Sequence, residues 1–329
     1  MPAALADHPA HMGTTDSSRR SFLKHAGAAS AAAAAVSLVP AADASAATQA
    51  ARPGGSPKKA VLIGMLPKDL PFQERFALAR EVGFEGMEVN TVDDQAQAEQ
   101  MAKAAQAAGL PIHSVMNSEH WNSPLSSADA AVVEKSVQGM LTSIRNAKLF
   151  GAETVLLVPA VVDAKTGYKD AWDRSHKVIR ERILPEAEKQ GIIIGIEEVW
   201  NKFQLSPLEM NAYVDSFKSK WVQAYFDVGN IVFYAYPQDW IRTLGPRIKK
   251  VHLKDFKLDR RKGSFEWVHL GEGDIDWPEV RKALNDIGYN GYMTTEIKGG
   301  DKAYLSDVVA RLDRFLAGQP PVAGTAPSA

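Results

Sequence analysis

Glu197, Asp227, His252 and Glu296 each stand at or near the end of a short apolar or β-branched run, in four successive units of the chain. Three carboxylates and one imidazole make an oxygen-rich donor set that suits a divalent ion of the Mn²⁺ type. Cys is absent, which removes disulfides, thiolate-bound zinc and a thiol nucleophile. Read singly, each residue has a plainer alternative. Glu197 closes Ile192-Ile193-Ile194-Gly195-Ile196, a run hydrophobic enough to be buried on both faces, so its carboxylate needs a metal or a Lys or Arg partner. Asp227 also suits a turn or a helix N-cap, His252 a hydrogen-bonded core position, and Glu296 a capped or paired acid. Read together, all four occupy the same place on consecutive runs, which unrelated structural acids have no reason to share.

Bringing those four ends to one point requires strands that run the same way. Strand-like runs at 60–65, 86–90, 110–116, 153–158, 192–197, 222–226, 249–253 and 292–295 alternate with helical patterns. The helices are expected at 72–82, in a segment closed by Gly109, and at 129–150, 170–189, 207–217, 237–244, 278–287 and 302–316. About eight such units predict a single (β/α)₈ TIM barrel over residues 59–317, in which the C-terminal strand ends converge on one mouth. A doubly wound open sheet is the alternative. It is disfavoured because no Gly-rich fingerprint follows the first strand and the candidate residues lie on many strands.

The formal charge of −1 advertises no nucleic-acid partner. Arg19-Arg20-Ser21-Phe22-Leu23-Lys24, the Ala-rich stretch 26–39 and the small residues 42–46 predict a twin-arginine (Tat) signal peptide over 1–46, cleaved near Ala46. A disordered Ala-rich tail is the alternative. The apolar run is too short and Ala-rich for a stable membrane anchor, so a periplasmic or secreted protein is expected. A flexible linker over 47–58 and a disordered tail over 318–329 complete the expected organisation.

Gly195-Ile196-Glu197-Glu198-Val199-Trp200-Asn201, Phe226-Asp227-Val228-Gly229-Asn230, Val251-His252-Leu253-Lys254-Asp255, Gly271-Glu272-Gly273-Asp274-Ile275-Asp276-Trp277 and Thr295-Glu296-Ile297 resemble the sugar phosphate isomerase/epimerase family, the xylose isomerase-like TIM barrels. The resemblance implies one divalent ion, Mn²⁺ first and Mg²⁺, Co²⁺ or Zn²⁺ otherwise, held by Glu197, Asp227, His252 and Glu296. It implies Glu197 and Glu296 as the acid/base pair of a metal-dependent sugar isomerase or epimerase, acting next to a carbonyl through an enediolate. Glu198 competes with Glu197; strand neighbours face opposite ways, and the motif favours Glu197.

Several ketose epimerases of the family carry a substrate-binding His where this chain has Asn230, and an Arg where it offers Lys254, Lys257, Arg260 and Arg261. Lys254, on the same strand face as His252, is the leading substrate contact, with Asn230, Glu88, His113, His120, Trp121 and Trp200 as further candidates and Asn117 in the same loop as His120. Trp240, Trp267 and Trp277 are expected to pack. The leader points to an unphosphorylated ketose or keto-sugar as the small-molecule partner. A lyase cleaving 3-keto-glycosides by β-elimination and a non-catalytic carbohydrate-binding protein are the alternatives. A DNA-repair endonuclease on the same barrel is disfavoured, since His8, His11 and His25 lie in the leader. The sequence leaves the oligomeric state open.

Overall fold

The computed structural model describes residues 55–322. The signal peptide, most of the linker and the last residues of the tail lie outside the described residues. Eight strands are parallel: β1 (Lys58–Leu62), β2 (Gly86–Asn90), β3 (Ile112–Met116), β4 (Thr154–Leu157), β5 (Ile193–Glu197), β6 (Val222–Asp227), β7 (Ile248–Leu253) and, after an inserted hairpin, β10 (Tyr292–Thr295). They close in the order β1-β10-β7-β6-β5-β4-β3-β2, the TIM barrel expected from the alternation. The register levels the strand ends, with Glu197 opposite Tyr225, Asp227 opposite His252 and His252 opposite Thr294.

Helices pack their apolar stripes on the outside of the barrel; Phe76, Met140, Ile144, Trp240 and Leu312 are buried there, and Trp277 is buried as expected. Asp94, Asp129 and Asp301 cap three of these helices by accepting backbone N–H bonds, while Gly83 closes the first helix and Gly109 the one that Asp94 opens, both in the left-handed region. The helix expected at 170–189 begins at Tyr168 and runs to Gln190, with a π-helical turn at Ile179–Ile183 just before Pro185, whose missing N–H breaks the regular ladder.

The inside of the barrel mixes apolar side chains such as Leu156 with polar contacts. Tyr225 on β6 and Glu88 on β2 are not on neighbouring strands, so their 2.6 Å hydrogen bond must cross the lumen. Thr294 on β10 and His113 on β3 meet in the same way at 3.0 Å. Gly195 makes room for this filling, since a Cβ there would lie 3.0 Å from the Tyr225 ring and 3.1 Å from the Thr154 methyl.

Four expectations change. Lys58, assigned to the linker, is the first residue of β1. The tail does not fray from residue 318, because Arg314 donates to the Pro320 carbonyl and Pro321 is buried. Between β7 and β10 an antiparallel hairpin, β8 (Asp255–Asp259) and β9 (Ser264–Val268), rises where no strand was expected. Trp267 on that hairpin is not core packing but 44% exposed.

Candidate metal centre

One ligand atom from each of Glu197, Asp227, His252 and Glu296 lies within 4.8 Å of the others. They come from the ends of β5, β6, β7 and β10, which form one uninterrupted arc of the barrel. His252 Nδ1 faces Glu197 Oε1 at 2.9 Å, Glu296 Oε2 at 3.0 Å and Asp227 Oδ2 at 3.7 Å. Asp227 divides its oxygens between two tasks. Oδ1 accepts from the backbone N–H of Gly229 and Asn230 and so caps the short helix Val228–Ile231. Oδ2 is buried and receives no well-aligned hydrogen bond among the described residues, its charged neighbours being the Lys254 ammonium at 3.0 Å and the His252 ring. A buried carboxylate oxygen left in that state, beside two more carboxylates and an imidazole nitrogen, fits a hard divalent ion.

Lys254 completes the charge pattern. Its Nζ lies 3.0 Å from Asp227 Oδ2 and 2.9 Å from Glu296 Oε2. With the three carboxylates and His252 all deprotonated, as ligation requires, and Lys254 an ammonium, the cluster would carry two negative charges, which a divalent ion would neutralise. Burial works to lower the Lys254 pKa, but Asp227, Glu296 and Glu197 together hold it above the ordinary lysine value. The two glutamates diverge. Burial pushes Glu197 up to about 7, whereas for Glu296 the His252 and Lys254 charges outweigh burial and hold it down at about 2. Burial opposes charge on His252 too, yet Glu88, Glu296 and Glu197 around it raise its pKa well above the usual value.

Glu197, not Glu198, joins the cluster. Glu198 turns aside to accept from the Asp227 backbone N–H at 2.8 Å, and burial next to Glu197 and Asp227 drives its pKa upward. Other expected contacts lie elsewhere. Glu88 is fully buried in the middle of β2, where it contacts His252 Nε2 at 2.7 Å; it sits beneath the cluster rather than on the substrate side. His113, second residue of β3, stacks on Tyr292 at the start of β10, with ring centroids 4.3 Å apart, so it belongs to the closed end of the lumen. Asn230 gives one amide N–H to the Glu198 carbonyl at 2.9 Å. Glu88 and His113 are corrected from substrate contacts to structural roles.

The rim keeps the rest. His120 is buried, accepts from the Val158 N–H at 3.2 Å and leaves Nε2 without a hydrogen bond; burial lowers its pKa to about 3 against the pull of Glu296. Trp121, 57% exposed, stands edge-on to it. Trp200 is tied down by its Nε1–H donating to the Asn230 carbonyl at 2.8 Å. Asp255, a residue quoted in the motifs but given no role there, accepts from the N–H groups of Phe256, Gly271 and Gly273 and from Trp277 Nε1, and so staples the hairpin to the following loop.

Residues 76–315 match the family described as Xylose isomerase-like TIM barrel. The chain belongs to that family. Among xylose isomerase-like TIM barrels it is 27% identical over 252 residues to a putative L-ribulose-5-phosphate 3-epimerase of Escherichia coli strain K12, covering 70% of this chain and 85% of that protein. An L-ribulose-5-phosphate 3-epimerase of Escherichia coli O1:K1 is 26% identical over 256 residues, covering 73% of this chain and 88% of that protein. The solved structure of a D-tagatose 3-epimerase-like protein superimposes with a TM-score of 0.68 at 21% identity, over 79% of this chain and 97% of that one. That of an L-ribulose 3-epimerase gives 0.66 at 19%, over 79% and 95%. These two establish a shared barrel.

Proposed function

We propose that this xylose isomerase-like barrel is a divalent-metal-dependent sugar epimerase. It removes a proton from the carbon next to a carbonyl and returns one to the other face. The observation that carries this reading is the pair of glutamates, Glu197 from β5 and Glu296 from the end of β10, whose carboxylates converge on His252 Nδ1 at 2.9 and 3.0 Å from strands separated by β6 and β7. Two acid/base groups flanking one point are what inversion at a carbon requires. The names of the two curated relatives, both ketose-phosphate 3-epimerases, support the same class.

Glu197, Asp227, His252 and Glu296 would hold the ion, which when bound polarises the substrate carbonyl as a Lewis acid. One glutamate takes the proton and the other delivers it. Lys254, which stays protonated between Asp227 and Glu296, is placed to neutralise an enediolate oxygen on the substrate. The paired arginines of the leader support export through the Tat pathway, and with it a free ketose or keto-sugar rather than a sugar phosphate.

The test is solvent deuterium incorporation into paired free and phosphorylated ketoses with Mn²⁺ present. Exchange at one carbon with formation of the epimer is expected, and Glu296→Gln should abolish it while ligand binding persists. Exchange undiminished in Glu296→Gln would sink the mechanism; strict dependence on phosphate would sink the substrate class. Release of an eliminated product instead of an epimer would make the protein a lyase.

A further inference from the structure

A cleft of about 560 Å³ opens beside the ligand cluster, lined among others by Lys254, Glu296, Trp267 and Tyr304. Trp267 lines this cleft and carries it onto an aromatic cluster outside it, formed by the hairpin and the segments that follow β5 and β6. Trp267 stacks on Trp200 with centroids 5.3 Å apart and planes 27° from parallel, Phe265 meets Trp200 edge-on at 5.0 Å, and Phe233 lies 5.3 Å from it. Cross-strand pairing of Phe256 with Trp267 and Leu258 with Phe265 gathers these side chains on one face of the hairpin. Phe256 is fully buried and anchors that face, and the Trp200 indole is fixed by its hydrogen bond to Asn230.

The rings are therefore held in place, yet they are not covered. Trp200, Phe233, Phe265 and Trp267 remain 40–49% exposed. Leaving that much apolar surface in water forgoes roughly 25 cal/mol for every Å², and a contiguous aromatic patch of this kind marks a binding surface. The patch is continuous with the reacting centre. Lys254 Nζ, in contact with Asp227 and Glu296, lies 5.6 Å from the centre of the Trp267 ring. Gly229 permits that approach, since a Cβ there would fall 2.7 Å from Lys254 Cβ and 3.1 Å from the Trp267 ring.

We propose that this wall is a second subsite, and that the substrate is a glycoside of an oxidised (keto) sugar, whose carbonyl-bearing ring lies at the Glu197–Glu296 pair while its second ring stacks on Trp267. The proposal rests on the epimerase reading for the place of the reacting ring. A sugar ring offers a flat C–H face and an aryl group a π face, and both suit an indole. The wall supplies the flat apolar contact that distinguishes two rings from one.

Full-length protein is titrated calorimetrically with methyl, phenyl and glucosyl glucosides of both anomeric configurations. The native chain is expected to bind a two-ring compound about tenfold more tightly than the methyl glucoside. The preference should vanish in Trp267→Ala and persist in Trp267→Phe, which keeps a ring. If Trp267→Ala does not fold, Trp267→Leu fills the space without a π face and is read the same way. Preference for the phenyl compound identifies an aryl second ring; preference for the glucosyl compound identifies a sugar. No preference in the native chain, or an undiminished one in Trp267→Ala, overturns the proposal. These are binding measurements, so their failure is separable from that of deuterium exchange, which reports the proton transfer alone.

Discussion

Glu88 accepts from His252 Nε2 at 2.7 Å and is itself held by Tyr225 and Ser114, so the nitrogen that faces the three carboxylates is the one left free to bind an ion. Glu88→Gln should weaken metal affinity by about 10–100-fold while all four ligand residues stay in place. Titration calorimetry with Mn²⁺ checks this, and equal affinity would leave Glu88 a bystander. His120 sets a pH dependence. Its folded pKa, about 3, lies below the ordinary 6.5, so as pH falls below 6.5 the unfolded chain takes up a proton that the folded one refuses. Stability is therefore lost between pH 6.5 and 3, with a limiting slope of about 1.4 kcal/mol per pH unit. His120→Asn keeps an acceptor for the Val158 N–H but cannot take the proton. Its melting temperature should fall less between pH 6.5 and 5; an equal fall would argue against the assignment. The four ligand candidates were legible because each ended a run. Glu88 and His113 were misread for want of one distinction, their place along the strand: the third and second residues of five lie in the lumen, whereas the mouth is reached from the last.

Barrel strands and most helices could be read from apolar periodicity and from stop signals such as Gly83 and Gly109. The hairpin escaped because Lys257, Asp259, Arg260 and Arg261 look like a charged loop. The alternation of Phe256 and Leu258 with Lys257 and Asp259, and of Phe265 and Trp267 with Ser264 and Glu266, was nevertheless a period-two signal. The turn Val228–Ile231 was hidden by its length, four residues showing no helical period. Its function can be probed at Gly229, whose added Cβ would meet Lys254 Cβ at 2.7 Å and the Lys254 carbonyl at 3.1 Å. Gly229→Ala should cost about 1–3 kcal/mol of stability by overpacking and, by displacing Lys254, slow deuterium exchange as well. Urea unfolding and exchange rates measure the two effects. A variant unchanged in both would show that the turn yields freely.

Parallel closure was predictable for the whole molecule, since alternating units of this number have few other ways to bury both faces of a sheet. Contacts across the lumen were not, because they join strands that are neighbours neither in sequence nor in the sheet, as in the bond between Tyr225 and Glu88. The proposed export is checked at this scale too. Mass spectrometry of protein recovered outside the cytoplasm should find a chain beginning near Ala47, and one that still carries Met1 would refute cleavage. The four ion ligands occupy the arc β10-β7-β6-β5, and the opposite arc reaches the cluster through Glu88 from below. The loops that follow β1 to β4, including the one bearing His120 and Trp121, supply none of these four ligands. An engineer could therefore exchange those loops to change which sugar is admitted and leave every ion ligand in place.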